Sequence, residues 1–281
     1  MRLIAFKRDE VSLWGILQDD NVYYSEKLNS HFPDLFSVIK NFPFVDFEGN
    51  LTKVAHLKDI QILPPYRPNK NILCIGKNYR EHALEMTGND EGAIPKKPVI
   101  FTKSPTSIIG HNEVILAHES VTKALDYEGE LAVIIGKSGK NISKDDAEDY
   151  IFGFTIINDV TARDLQKEHK QFFRGKSLDT FCPMGPVIVT KDEIENAEAL
   201  SIKTYVNDEL RQNGNTKDMI FSISELIEVL SNGMTLEAGD IIATGTPSGV
   251  GKGFNPPRFL QKNDEVKIVI EGIGELTNHV I

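Results

Sequence analysis

The chain has 281 residues, enough for one large domain, or a large and a small one, around a sizeable apolar core. Its 31 basic and 41 acidic residues leave a net charge of -10, which argues against a nucleic-acid partner, because duplex binding needs a positive surface. Two cysteines, Cys74 and Cys182, lie far apart without metal-type spacing, so neither a disulfide framework nor a zinc ribbon is indicated and a reducing cytoplasm is the expected setting.

The opening "MRLIAFKRDEVSLWG" scatters charges where a signal peptide has an uninterrupted apolar run. No window reaches the roughly 18 apolar residues of a membrane span, so the expectation is a soluble protein without a membrane partner. Residues 1–62 alternate apolar and polar in short pieces ("RLIAF", "VSLWGILQ", "NVYYS") and carry one helix-like run, "LFSVIKNF". They read as a small strand-rich amino-terminal domain. Residues 63–71, "LPPYRPNKN", hold three prolines and read as a linker into a larger region, 72–281. There the strand signals are "NILCIG", "PVIFTK", "LAVIIG", "IFGFTIIN", "GPVIVT", "LSIKTYVN", "DIIATG" and "EVKIVIEGIG". Helices are fewer: "NYREHALEM", "SKDDAEDY" capped by Ser143, "TARDLQKEH", and "SISELIEVLSNG" running from a serine to Gly233. Strands outnumber helices without strictly alternating with them, which indicates a β-rich α+β fold and not a doubly wound sheet.

Several segments bear chemistry. "GKNYREHALEM" sets His82 and Glu85 three apart on a helix, hence on one face, where a carboxylate can orient an imidazole as a general base. The same spacing also occurs on plain solvated helices. "LDYEGELAVIIG" places Asp126, Glu128 and Glu130 at the two-residue period of a strand, on one face, directly before an apolar run that signals burial. Buried carboxylates are costly unless paired, protonated or bound to a cation. No basic residue is near in sequence; the alternatives are a strand with one wet face or cationic partners from elsewhere. "GFTIINDVTARDLQ" ends a strand at Asn158 and Asp159. With Glu128 and Glu130, Asp159 supplies three hard oxygen ligands, which suit Mg²⁺ or Mn²⁺ and not zinc. The other reading of Asp159 is a helix cap.

"FFRGKSLDTFCPMGP" puts Arg174 and Lys176 in a turn-like segment, where a cation can meet an anionic substrate or a developing enolate, or simply face solvent. Cys182 has apolar neighbours and no activating base, so it reads as a buried structural thiol. "DIIATGTPSGVGKGF" fails as a phosphate loop: five residues separate Gly245 from Gly251, and Lys252 is followed by Gly253 where Ser or Thr is required. What survives is a bend of backbone N–H groups and hydroxyls (Thr244, Thr246, Ser248) able to hold a carboxylate, or an ordinary tight turn.

From about residue 70 to the end, these pieces together resemble the fumarylacetoacetate hydrolase family. The matching segments, in order, are "CIGKNYREHALEM", "PVIFTKSPTSIIG", "LDYEGELAVIIGK", "NDVTARDLQ", "RGKSLDTFCPMGP", "VNDELRQNGNTKDMIFSISELIEVLSNGMTLEAGDIIATGTPSGVG" and "IEGIGELTN". Carried over residue by residue, the resemblance implies a divalent-metal triad of Glu128, Glu130 and Asp159, with Asp126 beyond it as a hydrogen-bond partner. It implies a catalytic His82 and Glu85 pair on a segment that orders over substrate, an active-site Lys176, and substrate contacts at Arg163, Gln166 and Thr246. It also implies a β-rich sandwich or roll, a homodimer, and a small 2-oxo acid as substrate. Chelation by the cation of the carboxylate and keto oxygens would stabilise charge developing on the keto oxygen. The implied activity is hydrolysis of an acylpyruvate or decarboxylation of oxaloacetate; the alternatives are isomerisation of a 2-hydroxyhepta-2,4-diene-1,7-dioate-type acid and an inactive metal-binding homologue. The contacts that select among them are expected in a lid near residues 86–95, whose "TGNDEGAIP" is polar and glycine-bearing. Residues 1–62 carry no motif that fixes function.

Overall fold

The computed structural model describes residues 1–42, 44–47 and 51–281. The fold is a strand-rich α+β architecture built on two large sheets, with two further two-stranded ones. In the larger sheet the strands run in the spatial order Thr52–His56, Asn21–Tyr24, Val11–Gln18, Arg2–Arg8, Cys182–Thr190, Ile151–Asn158, Gly129–Ile135, Ile241–Ala243, Ile72–Gly76 and Val99–Lys103. The first four come from the opening 62 residues, and Arg2–Arg8 joins them to the rest through antiparallel pairing with Cys182–Thr190 (Leu3 opposite Ile188). The second sheet orders Glu209–Asn215, Ser201–Val206, Glu265–Ile270, Gly274–Val280 and the short Val114–Ile115.

Gly129–Ile135 is buried along its whole length because both of its faces are covered. Leu131, Val133 and Ile135 pack with Ile202 and Ile268 of the second sheet and with Leu226 and Leu230 of the helix Ile223–Ser231. Ala132 and Ile134 point the other way, among Leu3, Trp14, Leu35, Val38 and Ile39 from the opening residues. An apolar run without alternation is the pattern such double cover demands. Gly129 admits the close approach of the sheets: a Cβ there would stand 2.4 Å from Thr204 Oγ1 and 3.2 Å from Ile268.

The helices begin where side chains can cap them. Leu35–Asn41 starts at Asp34 and Ile223–Ser231 at Ser222, each with a reciprocal capping box, through Ser37 and Glu225 respectively. The "SKDDAEDY" segment is a 3₁₀ helix, Lys144–Tyr150, and not an α-helix. Ser143 does cap it, accepting from Asp146 N at 3.2 Å, but Asp145, Asp146 and Ser143 compete for local backbone bonds and favour the tighter turn. Phe173–Lys176, the turn-like segment, is a single helical turn that faces the end of Val99–Lys103.

Candidate metal centre

The three acids converge at the end of one antiparallel strand pair. Glu130 lies opposite Ile157 and Gly129 opposite Asn158; beyond the interruption at 127–128, Asp126 lies opposite Thr161 in the same register. Glu128 therefore falls opposite Asp159, and Asp159 N donates to Glu128 O at 2.8 Å. One carboxylate oxygen from each of Glu128, Glu130 and Asp159 lies within 4.8 Å of the others, and all three side chains are buried. Like charges directly across a strand pair repel, so the cluster requires compensation.

Cations from distant parts of the chain supply most of it. Lys176 Nζ donates to Glu128 Oε2 at 2.8 Å and to Asp159 Oδ2 at 2.6 Å, while standing 5.1 Å from the centre of the Phe101 ring. Lys103, fully buried, donates to Asp159 Oδ1 at 2.7 Å, to Val160 O at 3.1 Å and to Lys176 O. Arg163 holds Asp126 Oδ2 through Nε at 2.8 Å and Glu128 Oε1 through Nη2 at 2.7 Å. Burial works against ionisation of Glu128, yet Lys176 and Arg163 outweigh it and keep its carboxyl well below the usual range. Burial also opposes charge on Arg163 and Lys176, but the facing carboxylates hold both above their ordinary values.

Glu130 is the exception. Its Oε2 accepts one bond, from Gly245 N at 2.9 Å, and none of the three cations pairs with it. Gly245 donates from a left-handed turn at φ +103°, which a side chain would resist. Burial, then the nearby Asp159 and Glu128, push the Glu130 carboxyl well above its ordinary value. Lys103, Arg163 and Lys176 thus match Asp126, Glu128 and Asp159 in number, and Glu130 is the carboxyl that the buried cations leave unpaired. A hard divalent cation held by Glu128, Glu130 and Asp159 fits this donor set and would give the Glu130 carboxylate the positive partner that it otherwise lacks.

A cavity of about 230 Å³ opens on the cluster, with Glu128, Lys176, His82, Arg163, Gln166 and Thr246 in its wall. His82 Nδ1 meets Glu85 Oε2 at 3.2 Å, and Glu85 Oε1 accepts from Gly249 N at 2.9 Å. Glu85 accordingly fixes the imidazole with Nε2 as its basic atom and ties the helix Arg80–Glu85 to the 245–251 bend. Met86, the first residue of the expected lid, lines the cavity. Arg163 and Gln166, one turn apart on the helix Arg163–Glu168, are joined by a 3.3 Å bond. Thr246 gives its hydroxyl proton to Gly129 O and accepts from Gln212 Nε2, so it braces the loop at the cavity wall.

The structure thus brings His82, Glu85, Lys176, Glu128, Glu130, Asp159, Arg163, Gln166 and Thr246 around one centre. Asp126 stands apart from the three clustered acids: its strand pairs with Thr161–Ala162, and its oxygens take Arg163 Nε and the N–H groups of Gly251 and Lys252. Asp159 caps no helix by its side chain; the helix Arg163–Glu168 begins at Ala162 without one. Arg174 is exposed and Cys182 is buried, its thiol pushed up to about 12, by burial above all, against the opposing pull of Lys103. Lys103 escaped the sequence reading, although a lysine closing the apolar strand "VIFTK" on the same face as Phe101 is a signal of a buried charge.

Residues 71–281 match the family model for the fumarylacetoacetate (FAA) hydrolase C-terminal region. The chain is 62% identical over 225 residues to the oxaloacetate tautomerase YisK of Bacillus subtilis (strain 168), covering 80% of this chain and 74% of that protein. Among solved structures it superimposes on a fumarylacetoacetate hydrolase from the psychrophile Exiguobacterium antarcticum with TM-score 0.90 and 45% identity, covering 100% of this chain and 99% of that one. Maleylpyruvate hydrolase from Sphingobium sp. SYK-6, in complex with manganese(II) ion and pyruvate, gives TM-score 0.80 and 29% identity over 100% and 99% of the two chains.

Proposed function

The chain belongs to the fumarylacetoacetate hydrolase family, and from that premise we propose that it is a divalent-metal-dependent enzyme that interconverts the keto and enol forms of a small 2-oxo acid, with oxaloacetate as the leading substrate. The observation that carries the proposal is the buried cluster of Glu128, Glu130 and Asp159, in which Glu130 has no cationic partner, opening on a cavity that also holds His82. Glu128, Glu130 and Asp159 would hold Mg²⁺ or Mn²⁺. When bound, that ion supplies Lewis-acid polarisation of a keto oxygen.

The chain's own residues do the rest. Lys176 and Arg163 keep Glu128 ionised, the state a cation ligand requires. Arg163 and Gln166 offer N–H donors at the cavity wall to a substrate carboxylate. His82 Nε2 takes the proton from the carbon beside the keto group, with Glu85 orienting the ring and stabilising the imidazolium that results. A proton is then delivered to the keto oxygen, so the enol forms without loss of any atom. Met86 and the helix Arg80–Glu85, tied down through Glu85 to Gly249, limit water entry.

Cleavage of a C–C bond, as acylpyruvate hydrolysis or oxaloacetate decarboxylation, is the second reading; the likeness to the manganese- and pyruvate-bound maleylpyruvate hydrolase favours it. It uses the same groups, with His82 and Glu85 activating a water or guiding the proton that replaces CO₂. Assembly as a homodimer and a division into residues 1–62, 63–71 and 72–281 complete the proposal. The test is a turnover panel of oxaloacetate tautomerisation, oxaloacetate decarboxylation and acetylpyruvate hydrolysis, each with Mg²⁺, with Mn²⁺ and with chelator. The proposal expects fast metal-dependent tautomerisation that chelator abolishes. Equal rates with and without chelator on every substrate would reject it.

A further inference from the structure

The cavity mouth runs against the charge of the chain. The molecule carries a net charge of -10, yet five cationic side chains and a single carboxylate, Glu128, line this cavity. Arg163 and Lys176 are engaged by the buried acids. Lys77, Lys167 and Lys252 have no ion-pair partner among the described residues. They lie close enough together that Lys167 and Lys77, with Arg163, disfavour the charge on Lys252 beyond what burial does.

Each of these lysines is placed by a different piece of fixed backbone. Lys77 follows the strand Ile72–Gly76 in a left-handed conformation, φ +56°, that lysine rarely adopts. The next residue locks it: Asn78 donates to Thr244 O at 2.7 Å and Phe221 O at 3.1 Å, and accepts from Phe221 N at 2.9 Å. Lys167 shares the cavity face of the helix Arg163–Glu168 with Arg163 and Gln166, at the i, i+3 and i+4 positions. Lys252 has its backbone N–H on Asp126 Oδ2 at 3.0 Å, the same oxygen that takes Arg163 Nε. Mutually repelling ammonium groups held at one opening by three separate segments are complementary to an anion that reaches outward from the acidic centre.

We propose that Lys77, Lys167 and Lys252 form a subsite for the distal carboxylate of the substrate, so that the enzyme selects 2-oxo dicarboxylates over 2-oxo monocarboxylates. This inference rests on the reading of the centre as a 2-oxo acid site and specifies its substrate class. A monocarboxylate fills the inner part of the cavity and leaves the three lysines facing one another. A dicarboxylate satisfies both ends, and its outer contact weakens as salt screens it.

Malate and lactate test the subsite without any turnover. Both are 2-hydroxy acids that present the carboxylate and adjoining oxygen of a 2-oxo acid, neither enolises, and only malate has a distal carboxylate. Calorimetry on the Mn²⁺-loaded protein at low salt should give malate an affinity about tenfold or more above lactate, as partly exposed ion pairs of this number allow. Lys77→Gln combined with Lys252→Gln should bring the ratio to within about threefold, with lactate and Mn²⁺ affinities unchanged and the melting temperature preserved. A wild-type protein that binds the two equally, or a double variant that keeps the full malate preference, overturns the subsite. Malate preference without oxaloacetate turnover would leave the subsite standing and remove the catalytic reading; turnover without the preference would do the reverse.

Discussion

Arg2–Arg8 and Gly129–Ile135 lie in the same sheet and bury similar apolar side chains, but they treat charge in opposite ways. In the first strand Leu3, Ile4, Ala5 and Phe6 are buried, and the charges stay at the ends: Arg2 reaches the carbonyls of Gly272 and Ile273, and Lys7 pairs with Glu10 at the surface. Among the described residues of the opening 62, Ser25 is the one buried polar side chain. The second strand carries Glu130 into the interior and begins beside Glu128, with Lys103, Lys176 and Arg163 buried around them. Both strands are stable members of one sheet, so the sheet does not require these charges. Buried ion pairs are seldom better than apolar packing, and a buried carboxyl without a cationic partner, as Glu130 is, is worse. Its persistence speaks for binding, and the first strand shows what the same fold does where nothing has to be bound.

The contrast can be broken at three points. His82→Ala carries the largest expected effect: turnover of the preferred 2-oxo acid should fall about 10²- to 10⁴-fold, the usual weight of a positioned general base, while Mn²⁺ affinity stays as in the wild type. Steady-state rates read beside calorimetry check it, and an unchanged rate would remove His82 from its role. Lys103→Met comes next. It leaves Asp159 Oδ1 without its buried partner, and Mn²⁺ affinity should drop about 10- to 100-fold, as when a group orienting a ligand is lost. Equal affinity would make Lys103 a plain structural residue. Ile4→Val is the smallest: about 0.5 to 1.5 kcal/mol of stability by urea denaturation, with no change in Mn²⁺ affinity. A shift in metal affinity there would mean that the two strands are coupled after all.

What the sequence discloses follows from how local its signals are. Glu128, Glu130 and Asp159 are legible because acids that interrupt apolar runs at strand ends have few uses. The start of Ile223–Ser231 is legible because a capping box spans four residues. His82 and Glu85 can be found as a pair on one helical face, but their tie to Gly249 lies 164 positions away and has no local trace. The same holds for Arg163 on Asp126 and Lys103 on Asp159, separated by 37 and 56 positions. Asp126 shares the strand rhythm of Glu128 and Glu130 and keeps their register beyond the interruption at 127–128, but its oxygens are taken by Arg163 Nε and the N–H groups of Gly251 and Lys252. The pairing of Arg2–Arg8 with Cys182–Thr190 is likewise a tertiary outcome, since any apolar strand edge of suitable length would have matched the pattern.

The most direct measurement is a Mn²⁺ titration of the wild type and of Glu130→Ala, following the free-ion signal by electron paramagnetic resonance, with thermal melts of both proteins in chelator. Three carboxylates gripping one ion predict a single site per chain in the wild type, an affinity loss of at least about 100-fold in the variant, and a variant that still melts cooperatively in chelator, at a temperature shifted by the lost Gly245 N–H bond. Undiminished Mn²⁺ affinity in Glu130→Ala would contradict the account.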